Sequence, residues 1–226
     1  MKAAALLQLM RLASPSLPVG GFSYSEGIES AVESGRVCDE ATARRWLVDQ
    51  LHLGLARSDL PIVAHALAAW RGGDDEGVES LNRWVARTRE TAEMRQQTEQ
   101  MGRSLAVWLQ HRGAADARLA RLEALRPAPT WPIAFALAAA DSEATAPDVL
   151  AAFAAGWAEN MVQATMKAVP LGQLAAQRLL LALSTEIVSV IDAALALPAA
   201  DMQAFTPMLA ILSAQHETQY SRLFRS

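Results

Sequence analysis

The chain has 226 residues, 52% of them hydrophobic and 19% charged, with a formal net charge of −4. That length suits one large domain, and the slight acidity leaves no global field to draw the chain to nucleic acid or an anionic membrane. Cys38 is the only cysteine, which excludes an internal disulfide and a thiolate zinc cage and fits a cytoplasmic setting. Alanine runs such as 3–5 and 138–140 favour helices, and strand-forming residues are sparse.

Residues 3–13 read as a short helical arm, stopped by Ser14-Pro15; Gln8 and Arg11 interrupt it before it reaches signal length. Two prolines and two glycines make residues 14–21 a loop. A helix restarts over 24–34 and ends at Gly35. Asp39 is a fitting N-cap for a helix with the apolar stripe Leu47, Leu51, Leu55. Asp59 caps the next, with Pro61 in its first turn, and Gly72 to Asp75 form a linker. Residues 78–109 read as one long helix with a polar middle, kinked or divided near Gly102. A short amphipathic helix follows over 115–125, then a stiff connector with Pro127, Pro129 and Pro132 around Trp131. Thr145 and Pro147 open a helix to Ala168, and Pro170-Leu171-Gly172 breaks the chain. The apolar stretch 171–197 carries Arg178, Glu186 and Asp192, so it reads as a long buried helix rather than a membrane span. Thr206-Pro207 opens the last helix, to about His216. The expectation is an all-α, single-domain compact bundle of roughly nine or ten helices.

Catalytic and metal signatures are missing. None of His52, His65, His111 and His216 has a second histidine three or four residues away, so neither a zincin helix nor a di-iron repeat exists. Asp49 and His52 share a helix face, a spacing that fits a surface hydrogen bond as well as a ligand pair, and His216-Glu217 could join a site built between chains. No phosphate-binding loop occurs, and Ser23 and Ser25 lack a nucleophile elbow and fit as helix caps. Glu26 and Glu29 could form an acid pair, although a solvated first turn favoured by the helix dipole is the plainer account.

Three segments stand out against this background. In the loop 14–29, Leu17, Pro18, Val19, Phe22 and Tyr24 sit among prolines and glycines, as a core plug or a contact surface would have them. Around the helix break, Lys167 precedes Gly172, Gln173, Gln177 and Arg178, a set that also suits an internal turn. The tail 218–226 alternates Tyr220, Leu223 and Phe224 with Arg222 and Arg225, residue types that anchor interfaces.

Read together, Ser14-Pro15-Ser16-Leu17-Pro18-Val19-Gly20-Gly21-Phe22-Ser23-Tyr24-Ser25-Glu26-Gly27-Ile28-Glu29, Val169-Pro170-Leu171-Gly172-Gln173 with Gln177-Arg178, the stretch 90–105, and Tyr220 to Ser226 resemble the UreF family of urease accessory proteins. The resemblance spans essentially the whole chain; Ile28, where many members have leucine, is a conservative departure. It implies an all-α homodimer without catalysis of its own, a nickel-insertion chaperone that binds the accessory protein UreD (UreH in some organisms) and recruits or regulates the GTPase UreG during delivery to apo-urease. Nickel and GTP are then handled by the complex, and no cofactor or metal is held stably by this chain. The proposed UreD/UreH side comprises Pro18, Gly20, Phe22, Tyr24, Glu29, Tyr220, Arg222, Leu223, Phe224 and Arg225, with the tail docked on the loop: Tyr220 and Phe224 bury apolar area while Arg222 and Arg225 bond loop carbonyls or Glu29. The UreG side comprises Lys167, Gly172, Gln173, Gln177 and Arg178, with Glu90 and Arg103 as weaker candidates. Nucleic acid and membrane are not expected as partners. The competing reading, a ligand-responsive α-helical DNA-binding regulator, lacks basic residues: residues 1–40 hold only Lys2, Arg11 and Arg36.

Overall fold

A computed structural model describes residues 2–111 and 116–225; Met1, Ser226 and the expected helix start at Ala115 lie outside them. Among the described residues there are eleven α-helices and no strand. They are α1 (Ala3–Ala13), α2 (Ile28–Glu33), α3 (Glu40–Gln50), α4 (Asp59–Gly72), α5 (Asp75–Thr88), α6 (Ala92–Gln110), α7 (Ala117–Ala124), α8 (Trp131–Ala140), α9 (Ala146–Ala168), α10 (Gln173–Ala196) and α11 (Pro207–His216). The all-α expectation holds.

Helix α8 is the axis of the bundle, packed against both α4 and α6. Nine of its ten residues, Pro132 to Ala140, are buried, so it shows no amphipathic period. Pro127 and Pro129 lie in the expected connector, but Pro132, assigned to it as well, sits in the first turn of α8, where a missing N–H costs nothing. The segment before it is fastened from the side. Buried Asn82 donates to the Pro127 and Ala128 carbonyls at 2.9 and 3.2 Å and accepts from the Thr130 amide and hydroxyl, both at 2.9 Å. Trp131, Phe135 and Phe153 then stack and cross at centroid separations of 5.0–6.0 Å, joining α8 to α9.

The expected long central helix is two helices. Arg89 turns extended after α5, and Thr91 caps α6 by accepting from the Met94 amide at 3.2 Å. Gly102 neither kinks nor divides α6. It lets the helix approach the connector, since a Cβ there would stand 2.1 Å from the Pro129 carbonyl oxygen. Two further caps differ from expectation. Ser58, not Asp59, holds the N-cap position of α4, and Asp59 in its first turn accepts from Arg89 at 2.6 Å. The helix expected from residue 24 starts only at Ile28, because Glu26 and Gly27 both have positive φ.

Helix α10 is not the buried helix expected. It is long and apolar enough to cross a membrane, yet it packs along α9 with only a third of its apolar window buried. One face enters the core through Leu179, Leu183, Ile187 and Val190. Leu174, Leu181 and Val188, seven residues apart, stand exposed on another.

Candidate functional site

The tail lies on the loop, as the residue chemistry suggested, but by a different set of bonds. Glu29 is buried in the second position of α2, a helix that starts where Gly27 adopts φ +80 and leaves no room for a Cβ against Leu209. Its carboxylate accepts the backbone amides of Leu223 at 2.7 Å and Phe224 at 3.0 Å. The Gln219 side chain also donates to it, at 3.4 Å, and His216 Nε2 stands 3.2 Å away. Next along, the Arg225 amide donates to the Ser23 carbonyl at 2.8 Å.

His216 is fully buried, with Nδ1 2.9 Å from Glu93 Oε2 on its other side. The imidazole thus bridges two carboxylates, one at each ring nitrogen. Glu93 is in turn bonded by Arg222 at 2.9 Å. Glu217 caps α6 by accepting the Ala92 and Glu93 amides at 2.8 and 3.3 Å. The chain Glu29–His216–Glu93–Arg222 thus ties α2, α6, α11 and the tail together. His216 is committed inside the chain, which rules out the intermolecular site considered for it.

Phe224 is the tail's buried aromatic, with Lys167 Nζ 5.5 Å from its ring centroid. Tyr220 does not bury its ring as expected: it is fully exposed, as Leu223 and Phe22 largely are. The arginines also find other partners than loop carbonyls or Glu29. Arg222 goes to Glu93, and Arg225 donates to the Gln100 side chain at 3.3 Å. Gln100 Oε1 also accepts from the buried Tyr24 hydroxyl at 2.6 Å, and burial pushes the Tyr24 pKa up. Gly20 abuts the same glutamine, and Pro18 is exposed between buried Leu17 and Val19.

At the helix break, Gly172 is the N-cap of α10, and it, Gln173 and Gln177 are exposed. Arg178 is tied to Glu40 of α3 by two bonds, 2.7 and 2.6 Å. Lys167 belongs to both candidate surfaces through its contact with Phe224. Arg103 pairs with Glu99 on its own helix, and Glu90 is exposed beside a cleft.

The other histidines bond elsewhere: His52 to Glu186 at 2.7 Å rather than Asp49, and His65 and His111 to backbone carbonyls. Among the described residues no group of three or more His, Cys, Asp or Glu could hold a metal ion.

The UreF family model matches residues 37–184, about two thirds of the chain. The chain belongs to the UreF family. It is similar to the urease accessory proteins UreF of Methylibium petroleiphilum, Paracidovorax citrulli and Azoarcus sp., with 65%, 62% and 49% identity. These alignments cover 98–99% of the chain and 90–95% of the relatives. They therefore extend over the loop and the tail, which lie outside the segment matched by the UreF model.

Sequence reasoning missed Glu93, Gln100 and the inward role of His216 in this site. A histidine among glutamates at remote positions carries no local signal. One reading is corrected outright: neither Glu26 nor Glu29 is a solvated first-turn acid, since Glu29 is buried and Glu26 precedes the helix at φ 48.

Proposed function

We propose that this UreF-family chain is a non-catalytic cytoplasmic scaffold in urease maturation, which joins UreD/UreH and recruits or regulates the GTPase UreG as nickel reaches apo-urease. The observation that carries the reading is the anchored tail. Glu29, with His216 against its carboxylate, holds the tail's backbone from beneath, and Phe22, Tyr220 and Leu223 are left displayed as large apolar side chains. A rigid frame presenting exposed aromatic and aliphatic groups is suited to binding, because little entropy remains to be lost on docking. This is the face we assign to UreD/UreH. The UreG face is the helix break, where Gly172, Gln173 and Gln177 are exposed; nickel is cargo and GTP belongs to the partner.

Homodimerisation is assigned to α10. Leu174, Leu181 and Val188 repeat every seven residues, the spacing of a helix–helix seam, and a twofold partner would meet the same stripe. Leu181→Glu should convert the dimer to a monomer in sedimentation velocity; a monomeric parent, or a dimeric variant, rejects this seam.

Co-purification on tagged chain tests the scaffold itself. The parent should retain UreD/UreH and UreG together, and Gln173→Ala/Gln177→Ala should lose UreG while keeping UreD/UreH. Retention of UreG at parental level would remove the helix break from the UreG face. Lys167→Ala is a poorer probe, because it also disturbs Phe224.

A further inference from the structure

A cleft of about 160 Å³ opens beside the loop, walled by the loop, α3, α4, α6, α9 and the segment leading into α11. A space near 150 Å³ accepts a guest the size of benzene, so this one suits a ligand of roughly six heavy atoms. Two irregularities of the backbone border it. Residues Leu51–Leu55 form a π-helical turn, and Gly54 and Leu55 of that turn line the cleft; such turns concentrate at functional sites. Glu26, which also lines it, is the described chain's one non-glycine residue at positive φ, a strained state kept only where surroundings impose it.

The charges in the lining are unequal. Glu26, Asp59 and Glu90 face one cation, Arg89, whose guanidinium is already bonded to Asp59 at 2.6 Å. Glu26 keeps only neutral donors, Gln97 at 2.6 Å and the Trp157 indole at 2.9 Å. Its carboxyl still faces the open space, although protein surrounds it, and that desolvation pushes its pKa up. A cation entering the cleft would supply the missing counter-charge. The donor set argues against a metal: the lining contains no histidine or cysteine for a transition metal, and among the described residues no three His, Cys, Asp or Glu gather to hold any metal ion. The rest of the wall includes Trp131, Phe153, Trp157 and Met94, a surface for an alkyl chain and for the soft charge of an organic cation.

We propose that the cleft binds the head of a small organic monocation, an alkylammonium or guanidinium group, with Glu26 as its counter-ion and the aromatic wall around its alkyl part. The head belongs either to a free amine or to a lysine or arginine side chain of a bound protein. The partner side-chain source rests on the scaffold role proposed above; binding of the free amine to the isolated chain does not.

The test is titration of the full chain with n-butylammonium, followed by ligand-observed NMR, against n-butanol as the neutral probe of equal size. Butylammonium should bind at least about tenfold more tightly than butanol. Glu26→Gln, which keeps the shape, should bring the two together, and Met94→Phe, which fills the space and leaves the carboxylate, should weaken both; circular dichroism checks that each variant is folded. Affinity should fall as pH drops and Glu26 takes up its proton, with Gln97, Trp157, Asp59 and Arg89 as the groups facing it. Equal binding of amine and alcohol, unchanged binding by Glu26→Gln, or displacement of the amine by equimolar Ni²⁺ would overturn the proposal. Repeating the titration on the complex with UreD/UreH separates the sources: exclusion of butylammonium assigns the head to a partner side chain, and undiminished binding assigns it to a free amine.

Discussion

Glu26, just before α2, and Glu29, in its first turn, are three residues apart, yet their carboxylates meet opposite surroundings. Glu29 accepts from two backbone amides and an amide side chain and has His216 against it. Glu26 has two neutral donors and an open cleft. Glu29 is buried and Glu26 only partly so, but exposure alone does not set their roles. The difference lies in what replaces the lost hydration. Enough donors make a buried carboxylate a structural rivet, whereas too few leave it charged at a cost and available to a ligand. The left-handed backbone at Glu26 and Gly27 is what turns the two side chains into these separate environments.

Mutating the two should therefore move stability in opposite directions. Glu29→Ala strands two amides and leaves fully buried His216 with Glu93 alone. Breaking such a buried set costs about 3 kcal/mol, or on the order of 10 °C in Tm for a chain of this size. Thermal denaturation should show it, and trypsin should gain access to Arg222 and Arg225 in the native state. A Tm within about 2 °C of the parent would mean the tail is not held by Glu29.

Glu26→Gln should be milder and stabilising. Because the folded protein raises the Glu26 pKa above the ordinary 4.5, the folded state retains the proton to higher pH than the unfolded state does. Stability is thus lost as pH rises from about 4.5 through the folded pKa, and the full penalty applies above it. Thermal denaturation should show a larger gain in Tm for the variant at pH 7.5 than at pH 4. A gain of equal size at both values would assign the effect to something other than ionisation.

What could be read from the sequence follows the range of the interactions. Asp39 with Thr42 and Thr145 with Asp148 both form capping boxes in the structure, and such boxes declare themselves within four residues. Thr206-Pro207 opens α11 by a different local signal, the proline in its first turn. Helix α8 was hidden because its uniform burial erases the apolar period and its proline resembles a connector. In the site, the docking of tail on loop was foreseen from complementary residue types. Its actual bonds were not, because Glu29 works on backbone amides 194 and 195 residues away, and a backbone amide has no residue signature. The cleft is assembled from six separate stretches of chain and leaves no trace in any of them.

The central claim is that the anchored tail is a displayed surface and not only a closing stitch of the fold. Tyr220→Ala combined with Leu223→Ala tests it most directly, since both side chains are exposed and neither supplies a side-chain hydrogen bond in the anchoring network. The measurement is the amount of UreD/UreH captured by the tagged double variant, with Tm recorded alongside. The account predicts a Tm within about 2 °C of the parent and capture reduced at least about tenfold, as loss of roughly 1.5 kcal/mol or more of apolar contact requires. Capture at the parental level with an intact fold would contradict it.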